Sequence, residues 1–220
     1  MTRVVIVGAG DLARLARAFF AEAGVLDVVG CAVDAAYLEG AALGELPVVA
    51  FEELERHFPP GEHEAFVAVG YRRVNAARAD LCRRARAKGY RLATFVHPRA
   101  YVAPEARLGD NCIVFPGAVI EPFAALGDDV VVWSGAVIAH DAIVGNDCFF
   151  GPNASVSGKV TIGRGCFVGL NATLRDGISL GDGTVVGAGA VVKRDTRAGE
   201  VFPAVPTPVG PRSSDSYDDL

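Results

Sequence analysis

The sequence predicts a small α/β domain followed by an all-β parallel β-helix, and three observations predict it. From Val102 to about Arg197 an aliphatic or aromatic residue recurs every sixth place, sixteen times without a change of phase. Four places after each stands a small or β-branched residue, among them Cys112, Ala118, Ala136, Ala154, Cys166 and Thr184. Upstream of residue 98, short apolar runs alternate with amphipathic ones. A six-residue period signals a parallel β-helix, because strand alternation would repeat every two residues and an α-helix every 3.6. Strands alternating with helices imply an open α/β sheet.

The elements follow in chain order. Residues 3–7 form an apolar run typical of a buried parallel strand. Gly8-Ala9-Gly10-Asp11-Leu12-Ala13 then turns into a helix carrying Leu12, Leu15, Ala16, Phe19 and Phe20 on one face. Strands are expected over 28–33, ending at Asp34, over 47–49, and over 65–69, ending at Gly70-Tyr71. Helices are expected over 51–58 and 72–88, the second burying Val74, Ala77, Leu81 and Ala85. A last strand near 92–96 closes the domain at His97-Pro98, since the residue before proline is held extended. The expected domains are 1–97 (α/β), 98–204 (β-helix) and 205–220, a polar, acidic tail expected to be disordered.

In the β-helix each hexad supplies one short strand and one corner, so three hexads, about 18 residues, complete a triangular coil. The first residue of each hexad points inward, and each such burial contributes roughly 1.5–3 kcal/mol before the entropy of ordering is charged. The fifth must be small because the interior narrows near the corner.

Composition narrows the function classes. The chain has 220 residues, 51% of them hydrophobic, enough for a sizeable core. A net charge of −5 argues against a nucleic-acid partner. The five cysteines show no CxxC pair, and three occupy the small interior position, which reads as packing in a reduced, cytoplasmic protein. No signal or membrane-length apolar run suggests membrane insertion.

Two places carry candidate chemistry. The turn fits G-x-G-x-x-A, a variant of the dinucleotide fingerprint, with Asp34 placed as a ribose acceptor. A domain of about 97 residues is too small for a full dinucleotide fold, so a nucleotide moiety on the backbone N–H groups of residues 8–11 is the better reading of this Rossmann-like turn. The nucleotide-binding candidates are Gly8, Gly10, Asp11, Asp34, Gly70 and Tyr71. The basic run after Gly70 reads mainly as a solvated face, although Arg72, Arg73 or Arg78 could reach a diphosphate. In the repeat itself there is one histidine, His140, with Asp141 beside it to orient the imidazole and stabilise its charged form. Counting by coils, its column reads Pro104, Pro122, His140, Gly158, Asp176, Arg194.

The junction Val96-His97-Pro98-Arg99-Ala100-Tyr101-Val102, the element Gly135-Ala136-Val137-Ile138-Ala139-His140-Asp141 and the small α/β domain occur together. This combination resembles the hexapeptide-repeat sugar acetyltransferases that modify nucleotide-linked amino sugars, grouped with the sialic acid O-acetyltransferases. The resemblance spans residues 1 to about 205. It implies a left-handed coil, against the usual right-handed crossover rule, acetyl-CoA as co-substrate, no metal, and a homotrimer with shared active sites. It also implies His140 as general base, a Gly158 N–H for the oxyanion, and a CoA groove at Leu170, Asn171, Ala188 and Lys193. An amine is the favoured acceptor over a hydroxyl, as in a sugar O-acetyltransferase. A non-catalytic scaffold is the third reading, and a zinc enzyme on the same prism is rejected because it needs three histidines. Where family members carry Gly-His-Gly, this chain has Asp11-Leu12-Ala13, and where some have Asn and a second His it has Trp133 and Phe149.

Overall fold

The computed structural model describes residues 1–204, so the expected 205–220 tail lies outside the described residues. The α/β domain contains β1 (Thr2–Val7), α1 (Asp11–Ala23), β2 (Leu26–Val33), β3 (Val48–Ala50), the short α2 (Leu54–His57), β4 (Glu64–Val67) and α3 (Ala76–Ala87). Its four parallel strands lie in the order β3-β2-β1-β4. The core strand is β1, whose Val4, Val5, Ile6 and Val7 are buried on both faces. Gly24 ends α1 in the left-handed conformation, with its N–H donating to Phe20 O.

From Phe95 the chain winds into a prism of two-residue strands. Seven of them, from Phe95–Val96 to Val201–Phe202, build the face that meets the α/β domain. Six, including Val137–Ile138 and Ser155–Val156, build a second face, and five, including Ile143–Val144, a third. The register Val137↔Ser155 and Ile138↔Val156 gives the 18-residue coil. The interior is the one the hexads predict: Ile120, Ile138, Val156 and Leu174 stack under the second face, with Ala118, Ala136, Ala154 and Ala172 at the narrow positions. The fourth place of each hexad is the corner. There Asn111, Asp129, Asp141, Asp147, Asn153 and Asn171 all take positive φ, which Asn and Asp tolerate best among side-chain-bearing residues.

Three expectations need correction. The strand expected over 92–96 does not complete the α/β sheet: Leu92 makes a single bridge to Ala65, while Phe95–Val96 pairs with Ile113–Val114 of the prism. His97 does not end a domain: its N–H donates to Val114 O, so the extended residue before Pro98 is used as a β-helix rung. The helix expected from 72 begins at Ala76, because Arg73, Val74 and Asn75 have positive φ. At the far end of the prism the register tightens, Val185 pairing with Val201.

The late start of α3 rotates its buried stripe. Val74 is exposed, and the inward residues are Arg78, Cys82 and Ala85, with Asn75 just before them. Arg78 is fully buried and donates to Asp129 O at 2.9 Å, Cys148 O at 3.3 Å and Asn75 Oδ1 at 3.2 Å. It is therefore a strut between domains and not a ligand group. Asn111, on a prism corner, pairs with both main-chain groups of Val67, so a side-chain amide extends the edge of β4. Arg86 reaches Asp128 and the buried Asp129 at 3.2 and 3.3 Å, and burial lifts the Asp129 carboxyl to about 6. Aromatic packing completes the joint, Phe20 meeting Phe95 at 4.6 Å and Phe19 meeting Phe115 at 5.4 Å.

Candidate active site

The strand order places a crevice where ligands of open α/β sheets bind. From β1 the chain steps to β2 and β3 on one side, then crosses to β4 on the other, so the loops after β1 and β4 diverge. Between them lies a cavity of about 980 Å³. All six nucleotide-binding candidates, Gly8, Gly10, Asp11, Asp34, Gly70 and Tyr71, line it. Gly8 has φ +121°, and a Cβ there would lie 2.8 Å from Ala68 O, so only glycine fits. Gly10 caps α1 without a side chain, leaving the first-turn N–H groups directed toward the loop.

Asp34 is already engaged through one carboxylate oxygen. Arg84 holds it at 2.6 Å and lies over the Phe51 ring at 4.6 Å. That hydrogen bond pushes the Arg84 pKa up. Of the three arginines considered for a diphosphate, Arg72 and Arg73 line the cavity and Arg78 does not. The prism closes the far wall with Trp133 and Phe149. Trp133 stacks on Phe115 at 4.6 Å and Phe149 on Phe167 at 5.4 Å, so this wall is aromatic.

His140 lies elsewhere, on the edge between the second and third faces. Its Nδ1 is 2.9 Å from Asp141 Oδ2. With Nδ1–H donating to the carboxylate, Nε2 carries the free lone pair. Asp141 occupies a corner at φ +58°, so the coil that suits an Asp also aims it at the ring. Glu121, which sequence reasoning missed, accepts from the His140 main-chain N–H at 2.8 Å. Only the coil count could have found it, since it stands 19 places upstream. Gly158, one coil on, leaves room for the imidazole: a Cβ there would sit 2.6 Å from both Cε1 and Nε2. The Gly158 N–H has no acceptor among the described residues.

The four residues expected to hold CoA divide between two edges. Leu170, Asn171 and Ala188 follow strands of the domain-facing sheet, and the N–H groups of Leu170 and Ala188 have no acceptor among the described residues. Gly151 and Gly169 pass beneath them, each with a Cβ position 2.8 Å from the amide nitrogen above. Lys193 instead follows Val191–Val192 of the second face, on the His140 edge. The hexad phase decides this, because residues one or two hexads apart fall on different edges. Within one chain, therefore, the cavity and the Leu170–Ala188 edge lie a full face away from His140. Among the described residues no His, Cys, Asp and Glu cluster is arranged to hold a metal.

Comparison with known proteins matches these features. The family model described as the bacterial transferase hexapeptide (six repeats) matches residues 106–140, 123–158 and 141–174. The hexapeptide repeat of succinyl-transferase matches 159–194. No curated protein matches the sequence. Among solved structures, PerB from Caulobacter crescentus, in complex with CoA and GDP-perosamine, is 33% identical with a TM-score of 0.83, covering 94% of this chain and 96% of that one. A histidine-to-alanine mutant of the GDP-perosamine N-acetyl transferase from the same organism is also 33% identical, with a TM-score of 0.84, covering 94% of this chain and 95% of that one. The acetyltransferase domain of PglB from Neisseria gonorrhoeae, in complex with acetyl coenzyme A, is 26% identical with a TM-score of 0.78, covering 92% and 96%. With an α/β domain followed by a left-handed parallel β-helix, and with this identity over nearly its whole length, the chain belongs to the hexapeptide-repeat sugar acetyltransferases.

Proposed function

We propose that the protein is an acetyl-CoA-dependent N-acetyltransferase acting on a nucleotide-linked amino sugar, with His140 as general base. The observation that carries this reading is the His140–Asp141 pair standing over Gly158. PerB holds CoA and GDP-perosamine, and the PglB domain holds acetyl coenzyme A, which supports the substrate classes.

The chemistry needs no covalent enzyme intermediate. The sugar amine attacks the thioester carbonyl carbon while His140 Nε2 removes a proton from the nitrogen. Asp141 stabilises the resulting imidazolium through Nδ1–H. The Gly158 N–H donates to the tetrahedral oxyanion, an interaction worth about 2.7–4 kcal/mol where such donors have been removed. Collapse of that intermediate breaks the C–S bond, and the imidazolium returns its proton to the departing CoA thiolate. Leu170, Asn171, Ala188 and Lys193 are the residues assigned to CoA, and Gly8, Gly10, Asp11, Asp34, Gly70 and Tyr71 those assigned to the nucleotide sugar.

A homotrimer is the assembly of this reading, and the separation of these groups supports sites shared between subunits. One chain presents the cavity and the Leu170–Ala188 edge on one side of the second face and His140 on the other. Side-by-side packing of prisms sets one chain's His140 edge against its neighbour's groove, and a strictly monomeric active enzyme would contradict it. The five cysteines are free and buried, which suits a reducing cytoplasm, and no helix among the described residues is long and apolar enough to cross a membrane. The test is His140→Ala, assayed by thiol release from acetyl-CoA across nucleotide-linked 4-amino sugars. The variant should lose at least about 10²-fold in kcat with nucleotide affinity intact. Turnover within a few-fold of wild type removes His140 as the base.

A further inference from the structure

The segment between β4 and α3 combines backbone strain, a buried amide and a place on the cavity rim. Arg73, Val74 and Asn75 are three successive non-glycine residues with φ of 51°, 48° and 67°. Left-handed conformations are disfavoured for side-chain-bearing residues, most of all for a β-branched one such as Val74. Strain of this kind persists only where the surroundings over-determine it, and it clusters at ligand clamps.

Here the over-determining contacts come from the prism. Asn75 is fully buried, its Nδ2 donating to Cys166 O at 3.2 Å and its Oδ1 accepting from Arg78 at 3.2 Å. The Tyr71 ring rests on Phe149 and Phe167, with centroids 5.1 and 5.0 Å away. Pinned at both ends, the turn holds Arg72 and Arg73 exposed on the cavity wall. The N–H groups of Arg72, Arg73 and Val74 have no acceptor among the described residues. A tight turn with unpaired N–H groups beside two guanidinium groups is an anion-binding concavity. It faces the Gly8–Asp11 loop across the crevice.

We propose that Asn75 is a positioning residue that locks the Tyr71–Asn75 turn so that Arg72, Arg73 and the turn's N–H groups receive the diphosphate of the nucleotide-linked substrate. The proposal rests on the reading of the cavity as the nucleotide-sugar site. Asn75 makes no contact with the ligand; it transmits the position of the prism carbonyls to the turn. A folded prism is thereby required for a competent phosphate site in the α/β domain.

Calorimetric titration of the full chain with GDP, UDP, dTDP and ADP, and separately with acetyl-CoA, tests it. Asn75→Ala and Asn75→Gly should weaken the best nucleoside diphosphate at least tenfold while acetyl-CoA affinity stays within about twofold. Asn75→Gly is informative because it permits positive φ but supplies no anchor, and it stands in if the alanine variant does not fold. The Arg72→Gln/Arg73→Gln double variant should show a similar loss without a change in melting temperature. Rescue to within threefold by Asn75→Gly, or an equal loss for both ligands, would overturn the positioning role. If wild type binds none of the four nucleotides, the cavity assignment itself falls.

Discussion

Gly158→Ala isolates the placement of the base from every other part of the site. The added Cβ would lie 2.6 Å from His140 Cε1 and Nε2, whereas ordinary contact begins near 3.4 Å. The ring must therefore withdraw by about 1 Å, and a displacement of that size in a catalytic group costs on the order of 10²-fold in rate, or about 2.7 kcal/mol. Stability should barely change, because His140 is half exposed and can swing outward. The Gly158 N–H is retained, so loss of the oxyanion donor does not enter. Thiol release under saturating acetyl-CoA measures kcat, and the decisive comparison is the double variant. Since both changes act through the imidazole, Gly158→Ala/His140→Ala should be no slower than His140→Ala alone. Additive losses, or a single variant with near wild-type turnover, would refute the geometry of ring over glycine.

Two further outcomes concern the joint between the domains. Burial holds Asp129 protonated up to about pH 6, so between about pH 4 and pH 6 the native state binds more protons than the unfolded chain. Stability should then fall as pH rises through that window, by up to about 3 kcal/mol, and Asp129→Asn, which the φ +62° corner tolerates, should flatten the trend in urea unfolding. An unchanged pH profile would show that Asp129 titrates normally. Arg78→Ala strips donors from Asp129 O and Cys148 O in a fully buried place, and should cost about 3–5 kcal/mol in urea denaturation; a loss below about 1 kcal/mol would mean the strut is solvated.

Much of the architecture was legible because a six-residue period can be satisfied by few structures. Ile120, Ile138, Val156 and Leu174 announce an interior column, and the narrow positions beside them admit only small residues. Asp141 and His140 were legible for the same reason, since a fixed coil places each residue on a known edge. The errors fell where a side chain does a job its type seldom does. Arg78 reads as a solvated charge, yet two main-chain carbonyls from distant parts of the chain and the nearby Asn75 side-chain oxygen accept its hydrogen bonds in a buried place. Asn75 reads as the body of a helix, yet its amide is worth more against Cys166 O, and the helix starts one residue later. His97-Pro98 reads as a terminator, and the prism uses the same extended backbone as its first rung.

By itself, then, the sequence determined the β-helix, its interior, its corners and the edge on which His140 and Asp141 stand, because those follow from local periodicity and coil counting alone. Only the tertiary structure decided how the α/β domain sits on the prism, that Trp133 and Phe149 wall the cavity, that Arg84 engages Asp34, and that His140 lies a face away from that cavity. Those relations depend on contacts between residues 50 or more places apart, such as Arg78 with Asp129 O. No period encodes such a contact, and the folding of both domains against each other is what selects it.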